Sequence, residues 1–339
     1  MRRRFASLVL AAAALYGQAS ISGPTNEYIF DPGTQTIRAI VGVPGSGYLG
    51  SSITPVIKLG SVAPNARFAI TVNANTAEFI ADLTQSPVTP QPLTGAIADS
   101  DRILWAQDSS GAVLFSSRGR SLQFISQVNQ QPTVQPGIDL STLESTLEAP
   151  TGREASRTPD ILAPVQSAYL LAIDPAAKQA IVAIGGAGQS NVYLLESGMS
   201  PRLIIRAVSA AAAAFAADGS LYVIDAAGEQ VWILPSPLGS ATAQTLPAPQ
   251  TSLGRPTAIM VQGNLLYVAT SAGNRIDVYD AASLQYVDEL ALDSAPSTLE
   301  QFTATSYLLN ARRSSTDPVL LLETSPVPKV IFIPAGANQ

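Results

Sequence analysis

Short apolar stretches of strand length alternate with turn residues along most of the chain. In segment 215–234 an apolar strand precedes the turn at Asp218 and Gly219, and two further strands follow, separated by a second turn. Gly accepts positive φ and Asp bonds nearby backbone, so both favour tight turns between antiparallel strands. The same order of strands and turns occurs in three other segments: 105–125, 172–195 and 261–279.

The turns recur at a nearly constant spacing. The turn residues Asp174, Asp218 and Gly263 are 44 and 45 residues apart. β-Propeller blades have a period of about 40–50 residues, whereas a β-sandwich has short strands without that period. The pattern therefore predicts an all-β propeller. Weaker copies at 67–83 and 299–334 bring the number of recognisable blades to six.

One interval between repeats is too long. Asp108 and Asp174 are 66 residues apart, and the excess lies at about 128–167. This region includes the polar stretch 149–160 and shows no strand or helix periodicity, which indicates a flexible insertion. We expect Thr151–Asp160 to be sensitive to proteases.

The N-terminal part of the chain contains a hairpin pattern without the strands that would complete a blade. We expect Tyr28–Ile40 to pair with the C-terminal blade near Ile333 and so to close the ring, since an open ring would leave unpaired sheet edges. The predicted organisation is an N-terminal segment 20–66 and a propeller 67–335. Six four-stranded blades are favoured, with seven as the alternative. The alanine-rich stretch Ser209–Ala217 has helix propensity, but its repeat phase predicts an innermost strand.

Two repeats resemble known propeller families. Leu266–Asp280 reads LYVATSAGNRIDVYD and is similar to YVTN and NHL repeats, which have a Tyr-Val strand, a Gly-Asn turn and a strand ending in Asp. Ile103–Gly111 looks like a TolB-type, WD40-like repeat. The resemblance implies a propeller fold. The families include sugar-lactone hydrolases, surface-layer proteins and interaction scaffolds, so it implies no single activity.

The composition excludes several kinds of chemistry. The 339 residues include no His and no Cys. This excludes a Ser-His-Asp triad, a thiol nucleophile, an iron–sulfur site and disulfides, and it leaves oxygen-ligand calcium sites open. The net charge of −6 and the pI of about 4.7 argue against binding to a phosphate backbone.

The first residues have the order of a signal peptide. Arg2–Arg4 is followed by the apolar stretch Phe5–Tyr16 and by small residues that predict cleavage after Ala19. We therefore expect segment 1–19 to be a signal peptide and the mature protein to be periplasmic or extracellular. No run of 18 apolar residues exists to span a bilayer, so no transmembrane segment is expected after signal removal.

Carboxylates are the only candidate acid–base groups, and no catalytic or metal-binding set can be assembled from them. Asp108, Asp174 and Asp218 lie at hairpin turns, where backbone capping explains them. No calcium-binding loop motif is present. The remaining acids that lie close together in sequence are Asp99 with Asp101 and the group Asp280, Asp288 and Glu289.

Other motifs have structural explanations. The glycine-containing segments Val43–Gly50 and Gly185–Gln189 lack the helix that a phosphate-binding loop requires. Arginines near predicted turns are expected to be solvated loop charges, although their side chains could also bind an anion. These are Arg118, Arg120, Arg275, Arg312 and Arg313. Aromatic residues in predicted strands are expected to pack between sheets; these are Tyr169, Tyr193, Tyr222, Trp232, Tyr267 and Tyr279.

These observations favour an exported, non-enzymatic propeller that binds a protein or a cell-envelope component through loops at one end. We expect a monomer without a cofactor or a nucleic-acid partner. The alternative is a hydrolase or lyase that acts on a carbohydrate or lactone through carboxylates, with or without calcium. Convergence of acids at the channel mouth would favour that alternative.

Overall fold

The computed structural model describes residues 25–42, 46–74, 76–146, 167–186, 188–239, 242–248, 253–310 and 317–335. The predicted signal peptide with Ala19, the segment Thr151–Asp160, and Arg312 and Arg313 lie outside the described residues. Twenty-eight strands and one 3-10 helix form within the described part, and it contains no α-helix.

The strands form seven antiparallel sheets, one after another along the chain. We number these sheets as blades 1 to 7. The first three differ in size, with three, four and five strands. Blade 1 comprises β1 (Thr25–Asp31), β2 (Thr36–Val41) and β3 (Tyr48–Ser52). Blade 2 comprises β4 (Leu59–Val62), β5 (Ala69–Val72), β6 (Ala77–Ile80) and β7 (Pro90–Pro92). Blade 3 comprises β8 (Arg102–Trp105), β9 (Ala112–Ser116), β10 (Ser121–Ser126), β11 (Thr133–Val134) and β12 (Ile138–Asp139), and the 3-10 helix follows at Ser141–Thr146.

The last four blades each have four strands in sequence order, from the innermost to the outermost. Blade 4 comprises β13 (Ser167–Ile173), β14 (Gln179–Gly186), β15 (Gln189–Glu196) and β16 (Arg202–Ala207). Blade 5 comprises β17 (Ala210–Phe215), β18 (Leu221–Asp225), β19 (Gln230–Leu234) and β20 (Gln244–Thr245). Blade 6 comprises β21 (Pro256–Gln262), β22 (Leu265–Thr270), β23 (Arg275–Asp280) and β24 (Tyr286–Ala291). Blade 7 comprises β25 (Leu299–Gln301), β26 (Ser306–Leu309), β27 (Val319–Glu323) and β28 (Lys329–Ile333).

Seven apolar clusters join the blades into a ring. Six of them fill the spaces between successive blades, from blades 1 and 2 to blades 6 and 7. The seventh contains Ile29, Ile40 and Leu49 of blade 1 together with Val319 and Ile331 of blade 7. Because every blade packs on two neighbours, the molecule is a closed seven-bladed propeller.

The favoured count of six blades is therefore wrong. The segment 20–66 contains a blade of its own, because β3 follows the predicted hairpin and adds a third strand to it. The expected pairing of Tyr28–Ile40 with the C-terminal blade is also wrong, since β1 pairs with β2 and β28 pairs with β27. The two ends of the chain meet through apolar side chains rather than through a shared sheet.

The alanine-rich stretch forms an innermost strand, as its repeat phase predicts. Strand β17 pairs with β18 along its length. Its side chains contribute to two interfaces, with Ala213 in the cluster between blades 4 and 5 and Ala214 in the cluster between blades 5 and 6. Tertiary packing thus overrides the helix propensity of alanine here.

Candidate functional site

The innermost strands of all seven blades surround a central channel. A cavity of about 380 Å³ lies within it. That volume falls in the range of about 300–1,000 Å³ typical of small-molecule sites. The walls are mainly apolar and include Phe30, Leu171, Ile173, Phe215 and Ile259.

A pair of opposite charges crosses this channel. Arg102 lies on β8 of blade 3 and Glu300 on β25 of blade 7, so that two blades separate them on one side of the ring and three on the other. Arg102 Nη2 is 3.7 Å from Glu300 Oε1. The two side chains are 39% and 44% exposed. Such a partly hydrated, loosely spaced pair contributes only about 0–1 kcal/mol to stability.

The guanidinium of Arg102 retains unused donor capacity. Its Nε is buried and has no hydrogen-bond partner among the described residues. Within the same part of the chain, Arg102 is the only cationic residue lining the channel, whereas three carboxylates, Asp101, Asp174 and Glu300, line it. The channel therefore carries an excess of negative charge and one incompletely bonded cation.

A second cavity, of about 630 Å³, opens where the innermost strands of blades 4 and 5 begin. We call it the channel mouth. Arg102 and Leu171 line both cavities, so the mouth adjoins the channel. Tyr169 and Val208 are 53% and 50% exposed here. The other lining residues are small; they are Ser167, Gly185, Gly188, Ser190, Ser209, Ala210, Ala211 and Ala227.

Asp225 fixes the loop that forms one side of the mouth. Its carboxylate accepts hydrogen bonds from the backbone N–H groups of Val208 and Ser209, both at 2.9 Å, and of Gly228 at 3.1 Å. Burial opposes ionisation, yet these backbone donors hold the pKa of Asp225 below its ordinary value. A Cβ on Gly228 would lie 2.8 Å from Asp225 Oδ2, so this approach requires glycine.

The acids predicted to cap turns do so. Asp108 accepts from the backbone N–H of Ser110 at 2.8 Å, and Asp218 accepts from that of Ser220 at 2.9 Å. Asp174 accepts hydrogen bonds from the backbone N–H groups of Lys178 and Gln179, both at 2.6 Å. Asp174 also lines the channel, and there its carboxylate has this structural role.

The acid pairs singled out in the sequence do not converge. In blade 3, Asp99 accepts a hydrogen bond from Ser116 Oγ at 2.8 Å. Its neighbour Asp101 accepts from the backbone N–H of Ser117 at 3.0 Å and also from the Ser117 hydroxyl. Among these carboxyls only Asp101 lines the channel.

The other acids of this group lie on blade 6. Asp280 accepts two hydrogen bonds from Ser283, both at 2.7 Å, which lower its pKa. Asp288 and Glu289 lie on the outermost strand β24. No group of three carboxylates is placed to hold a metal ion in the described part of the chain.

Arg275 is bound to an acid rather than free in a loop. Its Nε is 2.7 Å from Oδ1 of the fully buried Asp277 and 3.6 Å from Glu289 Oε2. Burial raises the pKa of Asp277. Its other carboxylate oxygen, Oδ2, and the hydroxyl of Tyr279 are buried without partners among the described residues. This cluster lies on β23 and β24, away from the channel.

Most of the remaining motifs have the structural roles expected of them. Arg118 and Arg120 lie in the turn between β9 and β10. Tyr193, Tyr222, Tyr267 and Tyr279 are buried between blades, and Trp232 packs against the cluster between blades 4 and 5. Tyr169 departs from this pattern because it is exposed at the mouth. Gly185 also lines the mouth, and part of Val43–Gly50 belongs to β3.

Sequence reasoning missed Arg102 and Glu300. The signal available was a charged residue inside an innermost strand, since β4, β13, β17 and β21 carry none, although β1 also carries Glu27 and Asp31. Recognising it requires knowing which strands are innermost. Blade 7, one of the two weaker repeats, did not reveal that from its pattern.

Comparison with known proteins supports the fold. No protein-family model matches the chain, and no curated protein matches it. Among solved structures, a putative 6-phosphogluconolactonase from Bacteroides fragilis is similar, with a TM-score of 0.54, 12% identity, and coverage of 91% of this chain and 95% of that one. A functionally unknown protein from Desulfotomaculum acetoxidans gives a TM-score of 0.52 at 14% identity, covering 92% of this chain and 100% of that one.

A third similar structure is virginiamycin B lyase from Staphylococcus aureus, with a TM-score of 0.50, 10% identity, and coverage of 82% and 84% of the two chains. At these identities the likeness establishes a β-propeller and nothing about activity. The described residues include no helix that is long and apolar enough to cross a membrane.

Proposed function

We propose that this chain is an exported, non-enzymatic propeller that binds a small molecule, or a small projecting group of a cell-envelope component, in its central channel. The observation that carries the proposal is the channel itself. It combines apolar walls, an adjoining open mouth and a loosely held Arg102–Glu300 pair. Apolar concavities with a few convergent polar groups are the usual form of ligand sites.

The state of the carboxylates supports binding rather than catalysis. The acids at the turns of the blades accept hydrogen bonds from backbone N–H groups, and Asp101 is bonded to Ser117. A general acid or base must instead reach the reacting group of a substrate. Glu300 is the channel carboxylate that is not held in this way, and a glycosidase mechanism needs two.

A carboxylate-dependent hydrolase is the rival function. Asp101 and Glu300 both line the channel, which makes them the pair that such a mechanism would use. Two of the similar structures are named as a putative lactonase and a lyase. The likeness to them extends over the fold, so the rival rests on this single pair of residues.

A ligand screen on the purified mature protein tests both functions. Binding would be detected by thermal shift with a library of small polar metabolites, and each hit would be recovered and analysed by mass spectrometry. We expect hits to be recovered intact. Hydrolysed or eliminated products, formed by the wild type but not by Glu300→Gln, would overturn the non-enzymatic proposal.

A pair of matched variants locates the site. Ala211 is exposed in the mouth, so Ala211→Trp places a bulky side chain in that cavity without disturbing the core. Ala282 is also exposed but lies in the turn between β23 and β24, on the outside of the ring. Binding should be lost in Ala211→Trp and kept in Ala282→Trp. Binding that survives Ala211→Trp would place the site elsewhere.

A further inference from the structure

The Arg102–Glu300 pair is poised to exchange its internal contact for contacts with a ligand. At 3.7 Å the charged atoms are close but not hydrogen-bonded, and both side chains keep contact with water. Arg102 Nε is buried without a hydrogen-bond partner among the described residues, so Glu300 satisfies the guanidinium only in part. Separating the pair costs little, because exposed pairs of this kind are weak.

The charge balance of the channel selects against ligands with a single charge. An anion that bound Arg102 would face the freed carboxylate of Glu300 in a channel already lined by Asp101 and Asp174. A cation that bound Glu300 would face the freed guanidinium. In each case an unpaired charge remains in a partly dry site, which is unfavourable.

A zwitterion leaves neither charge unpaired. Its carboxylate can accept a two-pronged bond from the two Nη groups of Arg102, since the planar guanidinium presents these donors side by side. Its ammonium can at the same time donate to Glu300. An α-amino acid carries both groups on one carbon, so they can reach two protein groups that lie 3.7 Å apart.

The surroundings define the rest of the ligand. Leu171, Ala213 and Ile259 line the same channel as the pair, and they offer no charge or amide to a polar side chain. Burial of apolar surface favours an aliphatic side chain there by about 0.8 kcal/mol for each buried methylene group.

We propose that the channel binds an α-amino acid zwitterion with an apolar side chain, its carboxylate on Arg102 and its ammonium on Glu300. This inference rests on the proposed channel-binding function and names its ligand class. It assigns a different task to each member of the pair, so the two can be tested separately.

Calorimetric titration with three probes of similar shape provides the test. L-Leucine carries both charges, 4-methylpentanoate lacks the ammonium, and 3-methylbutylamine lacks the carboxylate. We expect L-leucine to bind at least about tenfold more tightly than either analogue, because each analogue leaves one charge of the pair unmatched. Tighter binding of 4-methylpentanoate would show an anion site, and tighter binding of the amine would show a cation site; either would overturn the inference.

Variants of the pair assign the two ends of the ligand. Arg102→Met should weaken L-leucine binding at least about tenfold and remove its preference over 3-methylbutylamine. Glu300→Gln should remove the preference over 4-methylpentanoate. Arg206 on β16 and Glu229 in a turn are both exposed. Arg206→Met and Glu229→Gln make the same charge changes as the two test variants and serve as controls. Both should bind L-leucine as the wild type does.

The outcome separates this inference from the broader function. Absence of L-leucine binding, with other compounds still bound in a manner that Ala211→Trp abolishes, would overturn the zwitterion inference and leave channel binding in place. Absence of every ligand from the channel would overturn both. Thermal melts of each variant would verify folding, and because the pair is weak we expect their midpoints to match the wild type.

Discussion

Trp105 and Ser61 lie 44 residues apart, and the indole N–H of Trp105 donates a hydrogen bond of 3.1 Å to Ser61 Oγ. The backbone N–H of Asn65 likewise donates to Ser109 Oγ across a separation of 44 residues. Tyr307 donates to Gln262 across 45 residues, at 2.7 Å. Residues that form polar contacts between neighbouring blades are therefore separated by the same number of positions as the recurring turns.

Removing one of these contacts should weaken a blade interface. Ser61→Ala would leave the buried Trp105 N–H without an acceptor, and an unsatisfied buried donor costs about 1–3 kcal/mol. We expect the free energy of unfolding to fall by that amount in urea titrations. Ser200→Ala, at an exposed turn, is the control and should change it by less than about 0.5 kcal/mol. Equal effects of the two variants would show that the contact adds nothing.

The central blades could be predicted from sequence because each follows the same period and uses the same turn chemistry. The turn at Asp218 and Gly219 illustrates this: Gly219 has φ +86°, and Asp218 bonds the backbone of Ser220. Period and turn residues are local properties of the chain, so they are visible before folding.

Blade 1 could not be predicted in the same way. It has three strands and no Asp-Gly turn, so its pattern reads as an isolated hairpin. Its place in the ring depends on Ile29 and Ile40 meeting Val319 and Ile331 from the other end of the chain. The same limitation applies to Arg102 and Glu300, which the ring brings together from blades 3 and 7.

Blade 1 depends on a buried ion pair. Arg38 Nη1 is 3.0 Å from Asp31 Oδ2, and the side chains are 11% and 0% exposed. Arg38 also donates to the carbonyl oxygens of Gly50 at 2.8 Å and Leu49 at 3.0 Å, which joins β2 to β3. Arg38→Met should destabilise the protein by about 3–5 kcal/mol, because it leaves a buried carboxylate without its cation. Arg206→Met, on the exposed side of β16, should cost far less in the same denaturant melts.

Asp225 should be the most important of the loop-capping acids. Asp225→Ala would strand the backbone N–H groups of Val208, Ser209 and Gly228, and we expect a loss of at least about 2 kcal/mol. Asp218→Ala removes a cap from an exposed turn and should cost no more than about 1 kcal/mol. If ligand binding in the channel depends on the mouth, Asp225→Ala should also weaken ligand binding at temperatures at which the variant is still folded. A variant that is as stable as the wild type would show that the loop holds its place without the carboxylate.

Export is expected from the order of residues at the N-terminus. We predict that protein isolated from its native host begins at Ser20, after cleavage behind Ala19. N-terminal sequencing and fractionation check this. Replacing Ala19 with a bulky residue, as in Ala19→Phe, should block processing because the cleavage site requires a small side chain. Recovery of the intact Phe5–Tyr16 segment from the cytoplasm would contradict the prediction.

The junction of blades 1 and 7 should respond to pH through Glu27. Burial, together with the nearby charge of Glu323, raises the pKa of Glu27 from 4.5 to about 7. Because the folded protein binds this proton more tightly than the unfolded chain, the stabilisation is complete below pH 4.5 and is lost as the pH rises through about 7. We expect the loss to be on the order of 2 kcal/mol, less than the full shift implies, since the side chain keeps part of its water.

Urea melts of the wild type and Glu27→Gln across this range measure the difference, which isolates Glu27 from the other acids. Stability of the wild type should decline more steeply with pH than that of Glu27→Gln, whereas Glu229→Gln, at an exposed turn, should follow the wild type. Parallel curves for the wild type and Glu27→Gln would mean that Glu27 is ionised in the folded protein at neutral pH, and that the junction tolerates both carboxylates.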